Sequence, residues 1–144
     1  MSEHIASVSW HKQGTFSHEG FDRSHHAKAS GHDIPMAGAN TQDYVDPEQM
    51  LAASLASCHM QTFLALAAKK RLQVEQYDDT ATAKVEANDD GKQYVSEVRL
   101  TPKAVFAGEK QPSQEEIEKM HHKAHQHCFV SNSLISQTII DPVF

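Results

Sequence analysis

The sequence predicts an α+β fold in one domain, and three stretches carry that prediction: a helix opening at residue 46 with a nineteen-residue uncharged run, two alternating runs after it, and a second capped helix before a last strand. The first helix starts at Asp46-Pro47-Glu48-Gln49. Asp46 stands as N-cap, Pro47 takes the first helical position, and Gln49 completes a capping box with Asp46. Glu48 faces the positive end of the helix dipole, and Lys69-Lys70-Arg71 closes the helix at its negative end. Residues 72–86 and 92–106 alternate as two long antiparallel strands, with Asn88-Asp89-Asp90-Gly91 as the turn between them. Ser113 as N-cap and Glu116 three residues on open a second helix running to about His127, and Ser133 to Ile140 reads as a final strand. Ahead of the first helix, residues 4–12, 15–21 and 25–30 are β-like, whereas Gly31 to Tyr44 reads as a loop.

At 144 residues, 39% hydrophobic and 22% charged, residues 1–144 are expected to form one soluble domain. A domain of this size needs no disulfide to hold it together, which leaves Cys58 and Cys128 available for chemistry. The net charge of -6 and the lack of a basic stripe argue against nucleic acid as a partner. The opening residues "MSEHIASVSWHK" lack the pattern of a secretory leader, so a cytoplasmic location is expected. Met50 to Ala68 runs nineteen residues without a formal charge, nearly enough to cross a hydrocarbon core of about 30 Å. Its middle, however, holds Ser54, Ser57, Cys58, His59, Gln61 and Thr62, which are costly in lipid, and no membrane partner is expected. A helix so apolar is expected to be buried on nearly all sides, which is easier if a second subunit helps.

Cys58 lies mid-helix between small neighbours, where the plain reading is a buried structural thiol. Cys128 follows a predicted helix end, a place where a thiol can be exposed and mobile. A reactive thiol must ionise, and a mid-helix position gets little help from the dipole, so a cation is required. Of the three arginines, Arg71 serves a helix end and Arg99 alternates with Val98 and Leu100 toward solvent. Arg23, in "GFDRSHHA", has no structural duty, and Glu48 could hold such an arginine by a bidentate pair.

"DPEQMLAASLASCHM", "HCFVSNSL" and the upstream "FDR" resemble the OsmC/Ohr family, the osmotically inducible and organic hydroperoxide resistance proteins. The resemblance covers roughly residues 5–140. It implies an OsmC-like α+β fold, with antiparallel sheets, a long central helix and an intertwined homodimer. It also implies a thiol-dependent peroxidase reducing organic hydroperoxides, with Cys58 peroxidatic, Cys128 resolving, Arg23 stabilising the thiolate and Glu48 orienting Arg23. The implied reductant is a dithiol such as a lipoyl group, with no metal and no cofactor. Phe129 departs from the proline common after the second cysteine, and His59 follows the first; His25 and His59 are further candidates to tune Cys58. Met36, Met50, Phe63 and Phe129 are candidates to line an apolar substrate pocket. Ten helical residues separate Glu48 from Cys58 by about 15 Å, so parts of each site are expected to come from two chains.

Two other readings stay open. His121, His125 and Cys128, at i, i+4 and i+7, could supply three zinc ligands, with Cys58-His59 giving a fourth. A non-catalytic, ligand-binding or stress-related protein of the same family is the other.

Overall fold

The chain runs β1 (Ser7–Ser9), β2 (His25–Ala29), β3 (His32–Met36), α1 (Pro47–Lys69), β4 (Gln73–Asp78), β5 (Thr82–Ala87), β6 (Gln93–Leu100), β7 (Lys103–Ala107), α2 (Gln114–His127), α3 (Phe129–Ser133) and β8 (Gln137–Ile140), in a computed structural model that describes residues 1–38 and 41–144. These elements fall into two compact units, Met1–Met50 and Leu51–Phe144.

In the N-terminal unit β1, β2 and β3 form an antiparallel sheet in that order. The expected loop over 31–44 in fact contains β3. Ser30 (φ 50°) and Gly31 (φ 77°) both adopt left-handed backbone, the requirement of a two-residue hairpin turn that pairs His32 with Ala29. Pro35 is tolerated because β3 is an edge strand, where a missing N–H breaks no ladder, and its carbonyl accepts from the Val45 N–H at 3.0 Å. Residues 15–21 are not a strand; Ser17 to Phe21 form a turn in which the Gly20 and Phe21 N–H groups donate to the Ser17 carbonyl. Ala39 and Asn40 of the expected loop lie outside the described residues.

The start of α1 forms as the sequence predicts. The Gln49 N–H donates to Asp46 Oδ1 at 2.8 Å and the Asp46 N–H to Gln49 Oε1 at 2.9 Å, two otherwise orphaned donors satisfied reciprocally. At the other end Arg71 (φ 60°) turns left-handed, its N–H on the Ala68 carbonyl and that of Leu72 on the Ala67 carbonyl. That is a Schellman stop, with Leu72 and Ala67 sharing one apolar cluster.

In the C-terminal unit the expected long hairpin is present but split. β5 and β6 flank the turn, in which Asn88 Oδ1 accepts from the N–H groups of Asp90 and Lys92 and Gly91 takes φ 79°. β4 and β7 continue the same two runs as a separate ladder. The break falls where Pro102 has no N–H to give and Asp79 Oδ1 captures the Thr101 N–H at 2.7 Å, so side-chain bonds replace the ladder. Val98 and Leu100 are fully buried, and Arg99 between them points out to pair with Glu97 and Asp141. Ser113 caps α2 by accepting the Glu116 N–H. The last strand covers Gln137–Ile140 rather than Ser133 to Ile140, with Ser133 ending α3, and β8 pairs parallel to β6 after the α2–α3 crossover.

By composition and length α1 would suffice to cross a bilayer. Burial within the chain, however, is confined to one stripe, Ala52, Leu55, His59, Phe63 and Ala67, rather than spread over nearly all sides. Leu55 and Ala52 pack with Val98, Leu100 and Cys128; Phe63 and Ala67 pack with Leu72, Met120 and Ala124.

Arg71→Gly is expected to stabilise the protein by roughly 0.5 kcal/mol. Relief of a left-handed side-chain conformation, about 1–2 kcal/mol, outweighs the added freedom of the unfolded chain, about 0.4–1 kcal/mol. Urea unfolding of the two proteins measures it, and a lower midpoint for the glycine variant contradicts it.

Candidate active site

Cys58 and Cys128, seventy positions apart, meet in the C-terminal unit. Both are free thiols, packed in one apolar cluster. Cys58 is half-buried on α1. Cys128 is fully buried, contrary to the expectation of an exposed and mobile thiol, because the chain passes from α2 straight into α3. It is at once the C-cap of one helix and the N-cap of the next, with Sγ accepting from the Ser131 N–H at 3.4 Å. Desolvation first, then the hydrogen bond and charge of Cys58, push the Cys128 thiol above its ordinary range, so it stays protonated at neutral pH.

One residue beyond Cys58, His59 Nε2 lies 3.0 Å from His121 Nδ1. The rings are 0% and 2% exposed, nearly coplanar at 7°, and His121 stacks on Phe63 with centroids 4.3 Å apart. Burial lowers both imidazoles to about 4, with the charges of His121 and His125 adding to the effect at His59. The pair is therefore neutral at physiological pH, one ring donating and the other accepting.

Arg23 belongs to the N-terminal unit, where each residue of "FDR" has work. Asp22 Oδ1 accepts the Ser24 N–H at 2.8 Å, the Asp22 carbonyl accepts the Trp10 indole N–H at 2.8 Å, and His25 Nδ1–H donates to the Arg23 carbonyl at 2.8 Å. The guanidinium so held lies 4.2 Å over the Phe21 ring. Its Cδ would stand 3.2 Å from a Cβ at position 38, so Gly38 lets the arginine lie down against the backbone. Trp10, Phe16 and Phe21 pack mutually at 5.5–6.4 Å between ring centroids and, with Arg23, His25 and Pro47, line a cleft of about 510 Å³. Glu48 is half-buried in the first turn of α1. Among the described residues it makes no ion pair with Arg23, and ten helical residues, about 15 Å, separate it from Cys58.

An OsmC-like protein family model matches residues 40–142. The chain belongs to the OsmC-like family. A solved OsmC-like protein of unknown function from Vibrio cholerae superposes with a TM-score of 0.95 at 36% identity, over 99% of this chain and 100% of its own. Two organic hydroperoxide resistance proteins share the fold: one from Elizabethkingia anophelis (TM-score 0.73, 19% identity, 99% of this chain and 94% of the other) and OhrB of Bacillus subtilis (0.70, 18%, 96% and 98%). No curated protein matches the chain in sequence.

Within this OsmC-like protein the alternative zinc ligands are not assembled. His121 is bonded to His59, His125 Nδ1 to the Ser131 hydroxyl at 2.9 Å, and among the described residues no three His, Cys, Asp or Glu side chains are placed to hold a metal. Of the apolar pocket candidates, Phe63 is wholly inside the core and Phe129 is 84% exposed. Sequence reasoning missed the aromatic set beside Arg23, although the chain's only tryptophan and two phenylalanines within twelve positions were a signal. It also missed the His59–His121 bond, for which a separation of 62 positions leaves none.

Because the two imidazoles stay neutral in the folded protein but take up protons near pH 6.5 when unfolded, the unfolded state binds more protons as the pH falls. Stability is then full above about 6.5 and is lost as the pH drops toward 4, on the order of 2 kcal/mol per histidine. Urea midpoints at neutral pH and about pH 4.5 test this; a His59→Leu/His121→Leu double variant should show a flatter profile than the natural protein.

Proposed function

We propose that this OsmC-like protein is a cysteine-based peroxidase that reduces organic hydroperoxides to alcohols. The observation that carries the reading is the meeting of two free thiols, one half-exposed and the other sealed beneath it. The Cys58 thiolate attacks the distal peroxide oxygen, the O–O bond breaks, and the leaving alkoxide takes a proton to depart as alcohol. Cys58 is left as sulfenic acid, oxidised by two electrons. Arg23 supplies the cation that favours the thiolate and hydrogen-bonds the peroxide as charge develops on the leaving oxygen. Its aromatic surroundings favour a peroxide with an apolar body. Cys128 sulfur then displaces the sulfenic hydroxyl, which leaves with the Cys128 proton as water, to form a Cys58–Cys128 disulfide; a dithiol, such as a lipoyl group, reopens it and becomes a disulfide itself, with no metal in the cycle. The free thiols suit a cytoplasmic setting.

The working unit is a homodimer in which Glu48 orients Arg23 across the interface. Two features support this. Ala53, Ser54, Ser57, Gln61, Ala65 and Ala68 make an exposed face of small or polar residues along α1, and Ile5 and Val8 are 82% and 74% exposed beside or on β1.

One equivalent of cumene hydroperoxide is expected to remove both thiols and two hydrogens from the reduced protein, by intact mass. Cys128→Ser should instead trap a sulfenic acid, and Cys58→Ser should lose at least about a thousandfold in rate. Survival of both thiols would defeat the peroxidase reading and leave ligand binding in the aromatic cleft. Trp10→Ala is expected to raise KM for cumene hydroperoxide roughly tenfold while leaving hydrogen peroxide turnover unchanged; equal effects on the two substrates would remove the cleft from substrate recognition.

A further inference from the structure

We propose that the buried His59–His121 hydrogen bond is a register key that holds α2 against α1 so that Cys128 can close on Cys58, which makes both histidines positioning residues for disulfide formation. The inference rests on the redox roles given above to the two thiols. α2 crosses α1 antiparallel. His121 is bonded to His59 and stacked on Phe63, one turn apart on α1. Two turns past His121, at the end of α2, Cys128 packs with Leu55, one turn before His59, and with Cys58, the residue preceding His59. Elsewhere Met120 and Ala124 of α2 share an apolar cluster with Phe63 and Ala67 of α1. Such contacts are non-directional and tolerate sliding or rotation. A hydrogen bond 3.0 Å long between two rings sealed from water is directional, and breaking it strands a polar nitrogen in the core.

The geometry of closure explains why register matters. A disulfide forms only with Cα atoms about 4.4–6.8 Å apart, whereas one helical turn is about 5.4 Å. A slip of one turn therefore takes the pair out of reach. The step in question is attack of Cys128 sulfur on the Cys58 sulfenic acid: the S–S bond forms, the S–O bond breaks, and the hydroxyl leaves with the Cys128 proton as water. Peroxide reduction at Cys58 precedes it and makes no demand on α2. The two steps should separate when the key is removed.

The test is single-turnover thiol loss in the natural protein, His121→Leu and His121→Gln, with cumene hydroperoxide and, separately, with diamide as oxidant. The expected result for His121→Leu is a peroxide-dependent first phase within about twofold of normal and a disulfide-closing phase at least about tenfold slower, with sulfenic acid trapped by dimedone on Cys58. His121→Gln, which can still hydrogen-bond His59, should recover part of the closing rate. Normal closure in His121→Leu, or equal slowing of both phases, overturns the proposal. Diamide needs no peroxidase activity to oxidise a thiol pair, so inertness to peroxide with slowed diamide closure would refute the peroxidase reading and keep the register key. If His121→Leu does not fold, His121→Phe, which fills the space of the ring without the hydrogen bond, is compared with the natural protein on the same two rates.

Discussion

The C-terminal unit depends on one stripe of α1. Ala52, Leu55, His59, Phe63 and Ala67 recur every three or four residues, so they line a single face on which the other elements pack. Two apolar clusters form along it, one around Leu55 and one around Phe63, with His59 between them. The stripe is therefore interrupted at its centre by a polar ring that has to be satisfied. α2 supplies the partner in His121, and the face that carries His121 also carries Cys128. Packing and thiol placement thus follow from the same constraint.

Burial divides the two thiols. Cys128, enclosed by two helix ends and held protonated, is suited to wait, and half-buried Cys58 is suited to meet a small molecule. Described by itself, the N-terminal unit shows equal care around Arg23. A turn made by Asp22, an indole hydrogen bond, an aromatic platform and a glycine without a clashing Cβ fix one guanidinium. Several contacts spent on one surface arginine are hard to explain by stability alone, since an exposed cation contributes little to it.

Local rules were legible in the sequence where local chemistry decides. The Asp46–Gln49 box, the Ser113 cap and the Asn88–Gly91 turn lie within a few residues of the groups they bond, and each forms as read. Misses fall where distant residues compete. Pro102 and Asp79 split a run whose alternation is otherwise continuous, and Pro35, within the expected loop, sits on an edge strand that accepts it. Ser30-Gly31 was the overlooked cue for that hairpin. Cys58 and Cys128 stood out by residue type and helix position, but whether each was exposed depended on α3, a five-residue helix with no periodic signal to find.

The histidine run before Cys128 shows how sequence proximity misleads. Successive helix residues point about 100° apart, so His121, His122, His125 and His127 cannot act together merely by being neighbours. The fold sorts them. His121 goes into the core against His59, His122 lies 3.3 Å from the Gln126 amide near the surface, and His125 meets the Ser131 hydroxyl just past Cys128. Two of these contacts bracket the buried thiol: one ties α2 to α1 two turns before it, the other ties α2 to α3 three residues after it. His121 Nε2 has no hydrogen-bond partner, yet among the described residues no three His, Cys, Asp or Glu side chains are placed to hold a metal. Imidazoles already committed to separate partners instead hold Cys128 from both sides, and that division of labour suits a thiol that must arrive at one place on one neighbouring helix.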